Sequence, residues 1–473
     1  MARTITDEEK SLAQDLLQRA RAAMRVAYDY DQARVDDLCR AVAWATANEE
    51  TFVALTEMSV AESGMGSADG GKTRRFKIIG ILRDALRAKS IGVLEEIPEK
   101  GIVKYAKPAG VIAGLLPVTN PLVTIVAMVI NSLKCRDAVI FSPHPASRRT
   151  AMEAVRILRE TLRSQGAPED LVQCIDKPSI PLAQELMSIS DLTIATGGAQ
   201  MVRAAYSSGK PAYGVGAGNA TMIIDETADI AEAARNSRIS KTHNNGSGCS
   251  CDGNLIVEDS IYDRFLEALQ KEGGYVVTRE EKKLLEAAMW DAEGHRTLDT
   301  VARAANVVAQ RAGFQIPDGA RFLIVPEDKI GRQHRFSGEK LTTVLAIFRY
   351  SGFDNALNMV DQILEVGGKG HSTGIYTFND DHIRALALRA PVSRITVRQP
   401  QVSANAGSFT NGMPMTASLG CGTWGGNIVS ENIGVKHYMN TTWVSVPIPE
   451  DKPTEEDIFG RFYKTGIPSL AKA

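Results

Sequence analysis

The sequence predicts an α/β protein built as two packed lobes with a cleft between them. The chain has 473 residues, two to three times the size of an ordinary domain. Beyond residue 110, short apolar runs rich in Val and Ile alternate with amphipathic helical runs, the rhythm of a parallel sheet covered by helices. Gly-rich polar loops interrupt both halves, as happens where backbone must approach a ligand closely.

Taken in order, residues from about Thr6 to Ser90 space apolar side chains at helical intervals, as in LAQDLLQRARAAMRVA and VDDLCRAVAWATA, predicting a helical layer. A polar, alternating piece runs from about Val93 to Tyr105, followed by an apolar strand at Val111–Leu116. The stretch Pro108–Leu133 carries no charge over about 26 positions, enough to cross a bilayer. Pro117, Asn120 and Pro121 break its middle, so a strand, a PVTNP turn and a helix buried in an α/β core explain it better. Then come strand DAVIFS, helix SRRTAMEAVRILRETLRS, strand LVQCI, a short helix near LAQELMS, strand DLTIAT and helix AQMVRAAYSS. PAYGVGAGNATMIIDETADI closes this half. From about Ile230 a second half begins with helix AEAARNSRISK, a Gly-rich loop and strand NLIVE, and continues with YDRFLEALQKE, TTVLAIFRY and GIYTF. The late segment LGCGTWGGNIVSENIG reads as a loop that approaches something closely.

Composition narrows the class. Hydrophobic residues at 44% and charged residues at 23% are ordinary for a globular protein. Lys and Arg (54) balance Asp and Glu (56), so no global field draws nucleic acid or an anionic membrane. The N-terminus has acids where a secretory signal needs a basic start and an apolar run, and six cysteines are too few for a disulfide scaffold. A cytoplasmic location is expected.

Cys249 lies in SKTHNNGSGCSCDGN, where a structural cysteine would normally have apolar neighbours. Loop composition alone leaves it open between a working thiol, its pKa lowered by a helix start or by Lys241, and an incidental surface cysteine. A metal site from His243, Cys249 and Cys251 lacks the usual Cys-x2–4-Cys unit and a matching pair, so no metal is expected. GVGAGN (Gly214–Asn219) is not spaced as G-x-G-x-x-G and is weak alone. The Gly197–Gly198 pair follows a strand and opens a helix, which suits either a cofactor or a plain turn. His371 sits in the glycine loop GGKGHS, which favours a site role.

Together GLLPVTNP, IFSPHP, ATGGAQMVRAAYSSGKPAYGVGAGN, IDETADI, SKTHNNGSGC, FSGEKLTTVLA, GGKGHS and LGCGTWGGN resemble, in order and spacing, the CoA-acylating branch of the aldehyde dehydrogenase superfamily. The resemblance runs from about residue 10 to residue 450 and looks nearest to the acylating sulfoacetaldehyde dehydrogenases. It implies a Rossmann-type cofactor lobe, an α/β catalytic lobe and a small β oligomerisation arm. The division it implies is 1–226 for the cofactor lobe, 227–418 for the catalytic lobe, and 419–473 returning to the cofactor lobe. Residues 93–105 and about 440–448 would build the arm of a homodimer or homotetramer.

By motif, the resemblance makes Cys249 the nucleophile and Asn120 the amide that holds the oxyanion. It makes Glu339 the acceptor for the nicotinamide ribose. It sets Thr196, Gly197, Gly198 and Gly216 beside the nicotinamide and pyrophosphate, and Ser142 and His144 beside the adenine ribose. With Pro143, His144 and Pro145 there, and Arg148 and Arg149 following, either NAD or NADP is accommodated. Val215 stands where hydrolytic members carry a glutamate base, so a thioester on Cys249 would await coenzyme A. His371 is expected on the CoA or acyl-transfer side. The polar flank His243, Asn244 and Ser247 suits an anionic aldehyde, sulfoacetaldehyde first, with succinate semialdehyde, acetaldehyde and propionaldehyde as alternatives. Arg394 and Arg398 are further sulfonate candidates, though an ordinary solvated strand position is the expectation for each.

Overall fold

The computed structural model describes residues 3–68 and 74–464. Four helices, Asp7–Ala27, Gln32–Ala47, Glu49–Ser63 and Arg75–Arg87, form the expected N-terminal layer. The first opens on a capping box, with Thr6 accepting from Glu9 N and the Glu9 side chain accepting from Thr6 N. It buries a stripe of small residues, Ala13, Ala20, Ala23 and Ala27, which lets it lie close to the sheet beneath.

The strands in chain order are β1 (Val93–Ile97), β2 (Ile102–Pro108), β3 (Val111–Leu115), β4 (Ala138–Ser142), β5 (Val172–Cys174), β6 (Leu192–Thr196), β7 (Ala212–Val215) and β8 (Thr221–Ile224). They continue with β9 (Asn254–Glu258), β10 (Gly274–Val276), β11 (Phe322–Pro326), β12 (Val344–Tyr350), β13 (Thr373–Tyr376), β14 (Ile395–Val397) and β15 (Met439–Ser445). One parallel sheet has the order β5-β4-β3-β6-β7, and a second parallel sheet the order β10-β11-β12-β9-β8-β13-β14. Strands β3 and β4 are buried at every position, as strands of a parallel sheet covered on both faces must be.

The uncharged stretch folds as β3 followed by the helix Pro121–Cys135, every residue of which is buried. Even Lys134 lies inside, its ammonium paired with Asp36. No helix among the described residues is long and apolar enough to cross a membrane.

The crossing between sheets comes earlier than the sequence suggests. TMII, read with the first half, is β8 and pairs with β9 and β13 of the second sheet. Asn219 fixes that crossing by donating to Ser337 O (2.9 Å) and accepting from Asn254 (3.0 Å), both in the second lobe. The polar alternating piece is the antiparallel pair β1–β2, and β15 returns to pair with β2 in full register.

Candidate active site

The helix Ile230–Thr242 ends in the turn His243–Gly246, where Asn244 (φ 47°), Asn245 (φ 56°) and Gly246 (φ 68°) are all left-handed. Asn and Gly are the residues that tolerate this conformation, so NNG is a structural signal for the reversal that presents Cys249. The turn is pinned by Asn245 Nδ2 donating to Gly66 O (2.9 Å) and by Ser67 N donating to Asn244 Oδ1 (3.0 Å). Asn244 Nδ2 in turn donates to Ser247 Oγ at 2.6 Å. Both residues were expected at the substrate mouth; they are buried and engage each other. Asn244 still reaches the wall of a pocket, described below.

Cys249 is half-buried, and its Sγ lies 3.1 Å from Nε2 of the buried His371. His371 Nδ1 lies 2.8 Å from Ser372 Oγ, which also accepts from Asn405 Nδ2 at 2.8 Å. With Nδ1 protonated toward Ser372, Nε2 is left as an acceptor for the thiol. Burial, aided by Glu339, Cys421 and Cys251, pushes the Cys249 thiol up to about 12. Burial and then the Arg394 charge push His371 down to about 3. Both partners are therefore neutral near pH 7, a thiol donating to an imidazole. Cys249 opens no helix, and Lys241 does not act on it; the Lys241 charge bears on Cys251, Asp252 and Glu339. The expected lowering of the thiol pKa is thus not built into the free site.

Three glycine loops converge on this pair. A Cβ on Gly218 would stand 2.0 Å from Cys249 O, so only glycine lets the β7–β8 link run beneath the nucleophile. Gly370, one residue before His371, has φ +79°, and a Cβ there would meet Cys421 O at 1.7 Å. Arg394 ties the same loops together, donating to His371 O (3.0 Å), Gly420 O (2.7 Å) and Asn432 Oδ1 (2.7 Å). It is a buried strut, not a solvated strand residue. Arg398 is likewise engaged, donating to Thr377 O and lying 4.4 Å from the centre of the Phe378 ring.

Glu339 accepts from Gly218 N (3.2 Å) and is pushed up to about 7 by burial, against the pull of that N–H and of Lys241, Lys340 and Arg296. Val215 ends β7 and is buried. The Asn120 side chain accepts from Arg74 Nη1 (3.0 Å), its partner among the described residues. Thr196 ends β6 with its hydroxyl 3.0 Å from Ser418 Oγ. Beyond Gly197, the helix Ala199–Tyr206 starts at Gly198 with no side-chain cap, and a Cβ on Gly198 would meet nothing within 4 Å. Uncapped amides with open space before them fit a dinucleotide pyrophosphate. Ser142 ends β4, and His144 Nδ1 accepts from Ala146 N (3.1 Å). The next helix, Arg148–Ser164, is capped from outside: Glu62 accepts from Arg149 N (2.7 Å) and from Thr150 N and Oγ1 (both 2.8 Å).

Sequence reasoning missed Glu62, Arg74, Ser372, Asn405 and Cys421. Cys421 lies where a Cβ on Gly216 would come 3.2 Å from its sulfur. Only its place in the glycine-rich LGCG could have signalled this.

Two parallel-sheet lobes, an antiparallel arm and a thiol paired with a histidine where glycine loops meet define an aldehyde dehydrogenase. The chain belongs to that family: the Aldehyde dehydrogenase family model matches residues 2–283. It is 42% identical over 453 residues to a sulfoacetaldehyde dehydrogenase of Acholeplasma sp, covering 95% of this chain and 93% of that protein. It is 41% identical to the acylating sulfoacetaldehyde dehydrogenase of Bilophila wadsworthia, covering 95% and 98%. The crystal structure of an acetylating aldehyde dehydrogenase from Geobacillus thermoglucosidasius is similar with a TM-score of 0.91 at 32% identity, over 94% of this chain and 99% of that one. The family and fold implied by the sequence motifs are thereby borne out.

Proposed function

We propose that this enzyme oxidises sulfoacetaldehyde to sulfoacetyl-CoA, with Cys249 as nucleophile. The observation that carries the reading is the 3.1 Å contact between Cys249 Sγ and His371 Nε2, in a site where buried Val215 replaces a water-activating base. The names of the two relatives support the aldehyde.

Cys249 adds to the aldehyde carbon as its proton passes to His371 Nε2. A neutral imidazole held by Ser372 and Arg394 is poised to take it, a role worth about 10²–10⁴-fold in rate. Asn120 Nδ2 and a backbone N–H hold the oxyanion. A nicotinamide dinucleotide, whose site the uncapped Gly198 helix start and Glu339 suit, supplies the hydride acceptor. The acyl group then rests on Cys249 as a thioester. His371 releases that first proton to solvent, then takes the proton of the CoA thiol as its sulfur attacks the thioester, and returns it to Cys249 as the cysteine sulfur leaves. The Glu62 carboxylate already takes the amides that would hold a 2′-phosphate, so NAD is the favoured cofactor if that helix start lies beside the adenine ribose.

The homo-oligomer built through β1, β2 and β15 and the division near 418 belong to the same reading, with the first lobe ending before β8 at Thr221 instead of at 226. The exposed Trp443, Val444 and Val446 support it. Six unpaired cysteines support a reducing, cytoplasmic setting.

The test is formation of reduced nicotinamide from sulfoacetaldehyde, succinate semialdehyde or acetaldehyde, with NAD or NADP, with and without CoA. Strict CoA dependence and a preference for sulfoacetaldehyde are expected. Full-rate oxidation without CoA would mean that water deacylates Cys249 and that Val215 has been misread. Cys249→Ala should abolish turnover while NAD still quenches protein fluorescence; surviving CoA-dependent activity would end the assignment.

A further inference from the structure

We propose that Arg74 receives the anionic end of the aldehyde in the pocket it shares with Asn120. The proposal rests on the reading that the substrate is an anionic aldehyde, and it names the residue that selects it.

The pocket is a recess with a cavity volume of about 20 Å³, open to solvent on one side, between the helix Glu49–Ser63, the loop before Pro121 and the His243–Gly246 turn. Phe52, Met65, Val118 and Leu122 give it an apolar wall, and Arg74 and Asn120 give it polar ones. Arg74 Nη1 donates to Thr119 O (3.3 Å) and Asn120 Oδ1 (3.0 Å). A guanidinium has five N–H donors, so most of the fork remains for a ligand. No carboxylate among the described residues lies within ion-pair distance of it.

The surroundings deepen the positive character. Lys77, three residues beyond Arg74, donates to Ala406 O (3.0 Å) and Gly407 O (2.6 Å). Burial and the charges of Arg74 and Lys77 push His243 down to about 4. A partly buried arginine with no carboxylate paired to it among the described residues is stabilised when an anion arrives. Its planar fork matches the oxygens of a sulfonate or a carboxylate.

Geometry also limits chain length. Arg74 touches the side chain of Asn120, whose Nδ2 makes no hydrogen bond among the described residues and is proposed to hold the carbonyl oxygen. An anion on Arg74 therefore sits only a few bonds from that carbonyl. A two-carbon sulfonate aldehyde meets this requirement better than a four-carbon semialdehyde.

The experiment compares kcat/KM for sulfoacetaldehyde, succinate semialdehyde and acetaldehyde in the wild type, Arg74→Gln and Arg74→Lys. Arg74→Gln should lose at least about 100-fold more on sulfoacetaldehyde than on acetaldehyde, because an unpaired buried polar group discriminates strongly. Arg74→Lys, keeping the charge without the fork, should fall between. An equal loss on charged and neutral aldehydes would overturn the proposal and leave Arg74 as a support for Asn120. Wild-type enzyme that oxidises acetaldehyde but not sulfoacetaldehyde would instead overturn the substrate reading itself. A measurement on wild type alone guards against misfolded variants: ethanesulfonate should slow alkylation of Cys249 by iodoacetamide, and ethanol should not. Equal effects of the two would overturn the proposal.

Discussion

His371 is held neutral in the fold, and that carries a signature in stability as well as in rate. Its pKa falls from 6.5 to about 3 on burial, so below pH 6.5 the unfolded chain binds a proton that the native state refuses. Stability from this residue is fully present above pH 6.5 and is lost as pH falls toward 3, by at most about 1.4 kcal/mol per pH unit. Cys249 works in the other direction: its thiol is raised, so stability falls only as pH climbs above 9. His371→Asn removes the acid-side loss. The urea stability of the wild type relative to this variant should therefore shrink between pH 7 and pH 5, and a constant difference would show that His371 titrates in the fold as it does in the unfolded chain. In the same variant the CoA-dependent rate at pH 7 should fall by about 10²-fold or more, because Cys249 loses its proton acceptor.

At the scale of elements, the site is made by backbone packed against backbone. Gly370 adopts φ +79° and lies so close to Cys421 O that a Cβ would stand 1.7 Å away. Gly370→Ala would have to force apart the loop of His371 and the loop of Cys421, which Arg394 binds together. Its cost should be at least about 2 kcal/mol, well above an ordinary glycine-to-alanine change. Thermal unfolding would register this as a clear drop in Tm, and an unchanged Tm would mean that the two loops are not rigidly coupled. These loops also mark how far the sequence could be read. Strand and helix periodicity gave the parallel lobes, and Gly-rich composition marked GVGAGN, GGKGHS and LGCGTWGGN as loops of close approach. Their meeting could not be read, because Cys249 and His371 are 122 residues apart and nothing local encodes the 3.1 Å contact. Arg74 was invisible for a related reason. In GGKTRRFK it is one cation among several, and only the fold sets it against Asn120. NNG carries a second signal that composition does not separate, since its Asn and Gly residues also build the left-handed turn.

For the whole molecule, the antiparallel arm is hard to explain in a lone chain. Strand β15 pairs with β2 along one edge, yet its residues beyond Met439 are all exposed, and Val444, Val446 and Ile448 alternate along one line of apolar side chains. Exposed alternating apolar residues on a narrow strand ribbon invite cover by a second copy. The arm's polar pattern was legible in the sequence as strands of uncommon exposure; its pairing partner lies more than 300 residues away and was legible only through the family resemblance. Because β2 runs directly into β3 through Ala109 and Gly110, an arm clasped by a partner would also steady the sheet that leads to Asn120. Val444→Asp combined with Val446→Asp places two like charges on that line while leaving the β2–β15 backbone ladder intact. Light scattering should find the wild type as a dimer or tetramer and the double variant as a monomer, with far-UV circular dichroism unchanged. The monomer should unfold at lower temperature, and its Tm should no longer rise with protein concentration. An unchanged mass would show that the arm is not the clasp and would require another surface to cover these residues.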